Sequence, residues 1–277
     1  MKYNYNLKTM KHFTNELFLN IAGYNVCINF HKTEWGFVRN FFYKQLSKYL
    51  ANFLIPSRPN RIDYYLDFVW EKGIKTLYFN KEKICYLNFF KKKNKNKIVS
   101  YYRISIYEFQ RLLYLVLFDL TKYNTKGMLV HASSVIKNGH AYLFLGKSGT
   151  GKTTIIRLLK NKYEAISDDV IILKKGNGML YAYQTPFFEK SRWINKNRQK
   201  YQVGKIIFIK QSNTYQVFKI KKTEIVLELF SQQINIFNGY EHKIRQQLLE
   251  FIKLCNNFYL LNFGKDKEKL EELIRNI

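Results

Sequence analysis

The run Gly146-Lys147-Ser148-Gly149-Thr150-Gly151-Lys152-Thr153 constrains this chain more than any other feature. It fits G-x-x-x-x-G-K-[ST] at every fixed position. His140 to Leu145 before it reads as a buried strand, and Ile155, Ile156, Leu158 and Leu159 after it read as the apolar side of a helix. Gly146, Gly149 and Gly151 free the backbone to take positive φ and to approach a phosphate with no Cβ in the way. Successive N–H groups then point inward as an anion nest, and the helix N-terminus adds partial positive charge. Lys152 sets an ammonium against the β and γ phosphates, and the Thr153 hydroxyl suits magnesium. Lys147, Ser148, Thr150 and Thr154 complete the expected nucleotide-binding set, for ATP and Mg2+. A strand–loop–helix of this kind calls for an α/β core.

Asp168 and Asp169 follow at the end of the next strand-like segment, Tyr163 to Ser167, after a short helix reaching about Lys162. Adjacent carboxylates beside a phosphate loop suit metal binding and general-base work. In most P-loop ATPases and GTPases the acidic strand comes later, after an intervening strand and helix. Here it is the very next strand.

Three stretches carry a resemblance: Leu129-Val130-His131-Ala132-Ser133-Ser134-Val135, then Leu143 to Thr154, then Ile166-Ser167-Asp168-Asp169. A histidine strand, a phosphate loop and a closely following Asp-Asp make the chain resemble the HPr kinase and phosphoenolpyruvate carboxykinase superfamily. Tyr183 to Phe187, Gly204 to Lys210 and Phe258 to Lys265 look like its later strands, so the resemblance covers roughly residues 128–277. The N-terminal region looks like the leading domain of HPr-kinase-like proteins of peptide-modification clusters. The resemblance implies a carboxykinase-like P-loop kinase domain with a mixed-sheet core. It makes Lys152 the phosphate-binding lysine, Thr153 a magnesium ligand, Asp168 the base and Asp169 a metal-holding or orienting acid. It puts His131 near the γ-phosphate or metal, against the plainer reading of a buried histidine bonded to backbone. The glycine-rich signature of genuine HPr kinase/phosphorylases near the C-terminus is missing. HPr as acceptor and the reverse phosphorolysis are therefore not expected. The short length argues against a carboxykinase. Relatives often form rings, which implies a homo-oligomer.

The preceding residues read as a smaller α+β domain, giving domains 1–125 and 126–277. Strands are expected on both sides of Gly23 within Leu17 to Asn29, at Arg61 to Trp70, Thr76 to Phe79, Ile84 to Phe90 and Ile98 to Ile104, with a helix over Phe37 to Phe53. The run KKKNKNK at 91–97 is expected as the solvated tip of a hairpin. Ser105 and Glu108 have capping-box spacing ahead of the apolar stretch Leu112 to Leu120, and Thr121 to Gly127 ends that helix. Asn138-Gly139 predicts a tight hairpin turn.

The net charge is +27, yet Lys, Asn, Tyr, Phe and Ile are all abundant and the basic residues are spread along the chain. Compositional drift explains this better than a nucleic-acid surface, so nucleic acid is not an expected partner. Lys190 to Lys200 reads as a solvated loop or as an anchor for an acidic acceptor. Cys27, Cys85 and Cys255 are odd in number and scattered, which disfavours disulfides and zinc and fits a reducing cytoplasm. No secretory signal is visible, and the longest apolar stretch, Leu112 to Phe118, is far short of the roughly 20 residues of a membrane span.

These readings predict a cytoplasmic, ATP-dependent kinase that transfers the γ-phosphoryl group to a serine hydroxyl of a protein or peptide. The alternatives are a kinase of a small hydroxyl metabolite such as free serine, and a non-catalytic nucleotide-dependent module that binds a peptide or nucleic acid.

Overall fold

Gly23, at φ +77 behind Ala22 at φ +52, turns the chain between β1 (Glu16–Ile21) and β2 (Tyr24–Phe30), the two strands expected around this glycine. The computed structural model describes residues 15–70, 76–79, 85–102, 104–123, 127–221, 223, 225–227 and 241–277. Helix α1 (Gly36–Tyr49) is shorter than the expected Phe37 to Phe53. It ends at Leu50, and a 3-10 turn over Ala51–Phe53 takes up the remainder. The strands β3 (Leu54–Ile55), β4 (Tyr64–Val69), β5 (Thr76–Phe79), β6 (Cys85–Asn88), β7 (Phe90–Asn94) and β8 (Lys97–Tyr101) follow.

These strands build a six-stranded mixed sheet in the order β3-β1-β2-β4-β8-β7, with β5 and β6 as a separate antiparallel pair. Strands β2, β4 and β8 run parallel, and β7 returns antiparallel to β8. The hairpin tip falls inside the lysine run, as expected, but the tip is shorter than the run. Lys91, Lys92 and Lys93 are exposed within β7 itself, and the turn falls at Lys95-Asn96. The physical reason is that β7 is an edge strand. Lysines there stay solvated and discourage another strand from adding on.

Helix α2 (Ile106–Tyr123) opens with both halves of the capping box. Glu108 Oε2 accepts from the Ser105 amide at 2.6 Å, and Ser105 Oγ accepts from the Glu108 amide at 3.2 Å. Its expected end at 121–127 falls partly on residues 124–126, outside the described residues. The chain divides into two compact units, Met1–Asn20 with Tyr24–Leu112, and Ile21–Gly23 with Leu113–Ile277.

The second unit is an α/β assembly about β9 (Gly127–Lys137), β10 (His140–Leu145), β11 (Glu164–Ser167), β12 (Val170–Gly176), β13 (Met179–Gln184), β14 (Lys200–Gln211), β15 (Gln216–Lys219) and β16 (Phe258–Phe263). Packed on these strands are α3 (Lys152–Leu159), α4 (Glu241–Leu254) and α5 (Lys267–Asn276). The sheet runs β10-β9-β12-β13-β14-β16-β15, and β10 also pairs parallel with β14, closing a circuit of strands. Asn138 (φ +50) and Gly139 (φ +76) form the expected turn between β9 and β10. Strands β12 and β15 lie where no strand is expected, and β13 stops at Gln184, so Thr185 to Phe187 is not a strand.

Alternation along the central strands fills two cores. Leu143, Leu145, Ile206 and Phe208 join Leu248, Phe251 and Ile252 of α4. Tyr142, Phe144, Ile207 and Ile209 join Ile155, Ile156 and Leu159 of α3 and Leu270 and Ile274 of α5. Strands buried on both faces read as unbroken apolar runs, which is why Ala141 to Leu145 and Ile206 to Ile209 lack polar residues.

Helix α5 is capped by opposite charges at its two ends, as its dipole favours. Asp266 accepts from the Lys269 amide at 3.1 Å. The buried Lys137 ammonium donates to the carbonyls of Ile274, Arg275 and Ile277 at 2.7, 2.9 and 2.9 Å. Lys137→Met is expected to lower the unfolding free energy by about 1–3 kcal/mol, read as a lower urea midpoint at constant m-value. An unchanged midpoint would show that water serves these carbonyls equally well.

Candidate active site

Strand β9 is paired along both edges. On one side Ala132 lies opposite Leu145 and Ser133 opposite Phe144 in β10. On the other, Ser134 lies opposite Ser167 in β11 and His131 opposite Val170 in β12. Strands β11 and β12 therefore follow β9 as one course, interrupted at Asp168-Asp169. The acid pair follows the end of β11 at Ser167 and links it to β12 in unbroken register with β9, the register shift falling upstream between Ala165 and Ser167. The Ala132 amide donates to the Asp169 carbonyl at 3.0 Å, and Ser133 Oγ to the Asp168 carbonyl at 3.4 Å, pinning the acid pair to β9. The glycine-rich loop leaves β10 at the same level. Loop, histidine and acid pair thus meet at one place along a single strand.

The loop between Leu145 and α3 is shaped by two glycines at positive φ, Gly149 (+85) and Gly151 (+96). A Cβ on Gly151 would meet Phe263 Cζ at 2.9 Å and Gln211 Nε2 at 3.2 Å. Gly146 was expected at positive φ and is not. Its constraint is space, since a Cβ there would strike Thr150 Oγ1 and press on Ile209 Cγ1 at 3.1 Å. Lys147, Ser148 and Gly149 form the exposed crest. Thr150 ties the crest down, with Oγ1 donating to the Lys147 carbonyl at 2.8 Å. Lys152 opens α3 and folds back over the loop, donating to the carbonyls of Gly146 at 2.5 Å and Lys147 at 3.1 Å. Burial lowers its pKa, the charge of Lys190 lowers it further, and Asp169 acts the other way. Thr153 and Thr154 stand in the first turn of α3, both partly exposed.

The two aspartates have different surroundings. Consecutive side chains of an extended segment leave it on opposite sides. Asp168 is 1% exposed, and both its carboxylate oxygens accept main-chain amides, Oδ1 from Lys190 at 3.0 Å and Oδ2 from Ser191 at 2.7 Å. The base expected at Asp168 is therefore engaged by the neighbouring loop. Asp169 keeps about a third of its side chain exposed, with Oδ1 3.8 Å from Nδ1 of His131. Burial raises the Asp169 carboxyl, but the His131 imidazole and the charges of Lys190 and Lys152 outweigh it and hold the group below the usual carboxylate range. His131 is partly exposed, not a buried core histidine.

Among the described residues no group of three or more His, Cys, Asp or Glu side chains could hold a metal. The oxygen donors here are the Thr153 hydroxyl and the Asp169 carboxylate. That is a set which suits a hard ion sharing its shell with phosphates and water, the habit of magnesium.

Sequence reasoning missed Glu189. Its Oε2 accepts from the Asp168 amide at 2.8 Å, and its Oε1 is paired with Lys196. The signal available was position: Glu189 is the sole acid between Asp169 and Glu224, at the head of a basic run. Burial pushes its carboxyl up to about 7, against the pull of Lys196. A folded-state value above the unfolded one means that folding takes up a proton between pH about 4.5 and about 7. The stabilisation is complete below that window and is lost as pH rises through it. Wild-type unfolding free energy should therefore fall relative to Glu189→Gln from pH 5 to 7.5, by an amount on the order of a few kcal/mol. Parallel pH–stability curves for the two proteins would contradict this.

The family described as SynChlorMet cassette protein ScmC matches residues 85–259. No curated protein matches the chain. Among solved structures, the Hpr(Ser) kinase/phosphatase from Coxiella burnetii is similar at 14% identity and a TM-score of 0.32, over 54% of this chain and 95% of that one. With well over half of its residues inside the matched span, the chain belongs to the ScmC family.

Proposed function

We propose that this protein is an ATP-dependent kinase, in which residues 126–277 form the catalytic domain and the acceptor is a serine hydroxyl of a peptide or protein. The observation that carries this reading is the convergence on β9 of a phosphate-binding loop with the His131–Asp169 pair.

The loop amides and Lys152 would hold the β and γ phosphates. Lys152 has to exchange the carbonyls of Gly146 and Lys147 for phosphate oxygens, which are stronger acceptors for an ammonium. Thr153 and Asp169 would hold magnesium, which when bound neutralises charge on the phosphates. In the transfer step the acceptor oxygen bonds to the γ-phosphorus as the bond from that phosphorus to the β–γ bridging oxygen breaks. ADP leaves with the bonding pair. The acceptor proton passes to His131 Nε2. Asp169 stays ionised, orients the ring through Nδ1 and stabilises the imidazolium, a contact that shortens from its resting 3.8 Å. This division of labour moves the base from Asp168 to His131, because Asp168 already accepts two amides.

The test is incubation of the full chain with ATP, Mg2+ and serine-containing peptides, with products read by mass spectrometry. Phosphoserine peptide is expected. Lys152→Ala should slow its formation about 100-fold or more, and His131→Gln by about 100- to 10,000-fold. Product on free serine alone would favour a small-molecule kinase. ATP binding with no phosphorylated product would favour a binding module. Unchanged rates in both variants would refute the mechanism.

A further inference from the structure

Asp168 and the loop after β13 are locked together from both sides. The Asp168 carboxylate holds the amides of Lys190 and Ser191, while the Glu189 carboxylate holds the Asp168 amide and the Lys196 ammonium. Three hydrogen bonds and an ion pair thus fix the main chain at Glu189–Ser191 next to the acid pair. Both carboxylates are almost wholly buried, so water does not compete for these bonds. Such a clamp is more than a solvated loop requires. It holds the Lys190 backbone in place while leaving its side chain exposed.

We propose that Lys190 is a second phosphate-binding cation, held at the mouth of the glycine-rich loop by Asp168 acting as a positioning residue. The proposal rests on the nucleotide reading above. The charge of Lys190 acts on both Lys152 and Asp169, so its ammonium lies within electrostatic reach of both. Two like charges held together at a phosphate loop cost free energy in the empty site, and an anion with several negative charges relieves it. A triphosphate tail has that charge and can span two ammonium groups. A monophosphate engages fewer of these contacts.

The experiment compares binding of ATP and AMP by calorimetry to the full chain and to Lys190→Gln, Lys190→Arg, Asp168→Asn and the Lys190→Gln/Asp168→Asn double variant. Lys190→Gln should weaken ATP about 10-fold or more and AMP by less than about twofold, while Lys190→Arg keeps ATP within about twofold of wild type. Asp168→Asn should give the same ATP-selective loss, and adding Lys190→Gln to it should cost little more, because the two act through one contact. Hydrogen exchange at the Lys190 and Ser191 amides should quicken in Asp168→Asn and not in Lys190→Gln. If Asp168→Asn does not fold, the ATP-to-AMP ratio of Lys190→Gln decides the matter. Equal weakening of ATP and AMP, no weakening, or additive losses would overturn the role of Lys190. If Lys152→Ala loses ATP while Lys190→Gln keeps it, this inference alone fails. If the wild-type chain binds no ATP, the nucleotide reading fails with it.

Discussion

Everything at the candidate site depends on β9 being hydrogen-bonded along both edges. One edge fixes where β10 ends and the glycine-rich loop begins. The other fixes where the course of β11 and β12 breaks at Asp168-Asp169. Because both registers are set against the same few residues, Ala132 to Ser134 with His131 beside them, the loop and the acid pair cannot drift apart without breaking main-chain ladders. A slip by one residue would also turn buried Val130 and Ala132 out of their core. Packing energy therefore enforces the site geometry.

On that frame the electrostatics divide by burial. Asp168 and Glu189 lie inside, where each carboxylate is satisfied by amides or by Lys196 and holds a loop in place. Asp169, His131, Lys152 and Lys190 lie at or near solvent, where their charges meet whatever binds. Two adjacent acids of the same type thus serve different ends, because an extended chain sends one inward and one outward.

Much of this was legible in the sequence wherever the cause is local. The glycine-rich loop, the Ser105–Glu108 capping box and the Asn138-Gly139 turn each depend on a few neighbouring residues, and each lies where the pattern put it. Asn177-Gly178 carries the same turn signal, and its residues also take positive φ, yet the β12–β13 hairpin was not read. The lysines of β12 and the tyrosines of β13 blurred the apolar pattern. The share of the lysine run that stands in β7 has a non-local cause as well, since only the sheet order makes β7 an edge. The division between Asp168 and Asp169 could not be read at all. It depends on amides some twenty residues away, brought back by the path of β12 and β13.

The central claim is that a triphosphate belongs in the loop beside β9. The most direct measurement is a crystal structure of the full chain with a non-hydrolysable ATP analogue and Mg2+. The account predicts the β and γ phosphates against the amides of Gly149 to Thr153, with Lys152 Nζ moved from the Gly146 and Lys147 carbonyls onto phosphate oxygens. An analogue bound elsewhere, or a Lys152 still turned back onto its own loop beneath the phosphates, would contradict it.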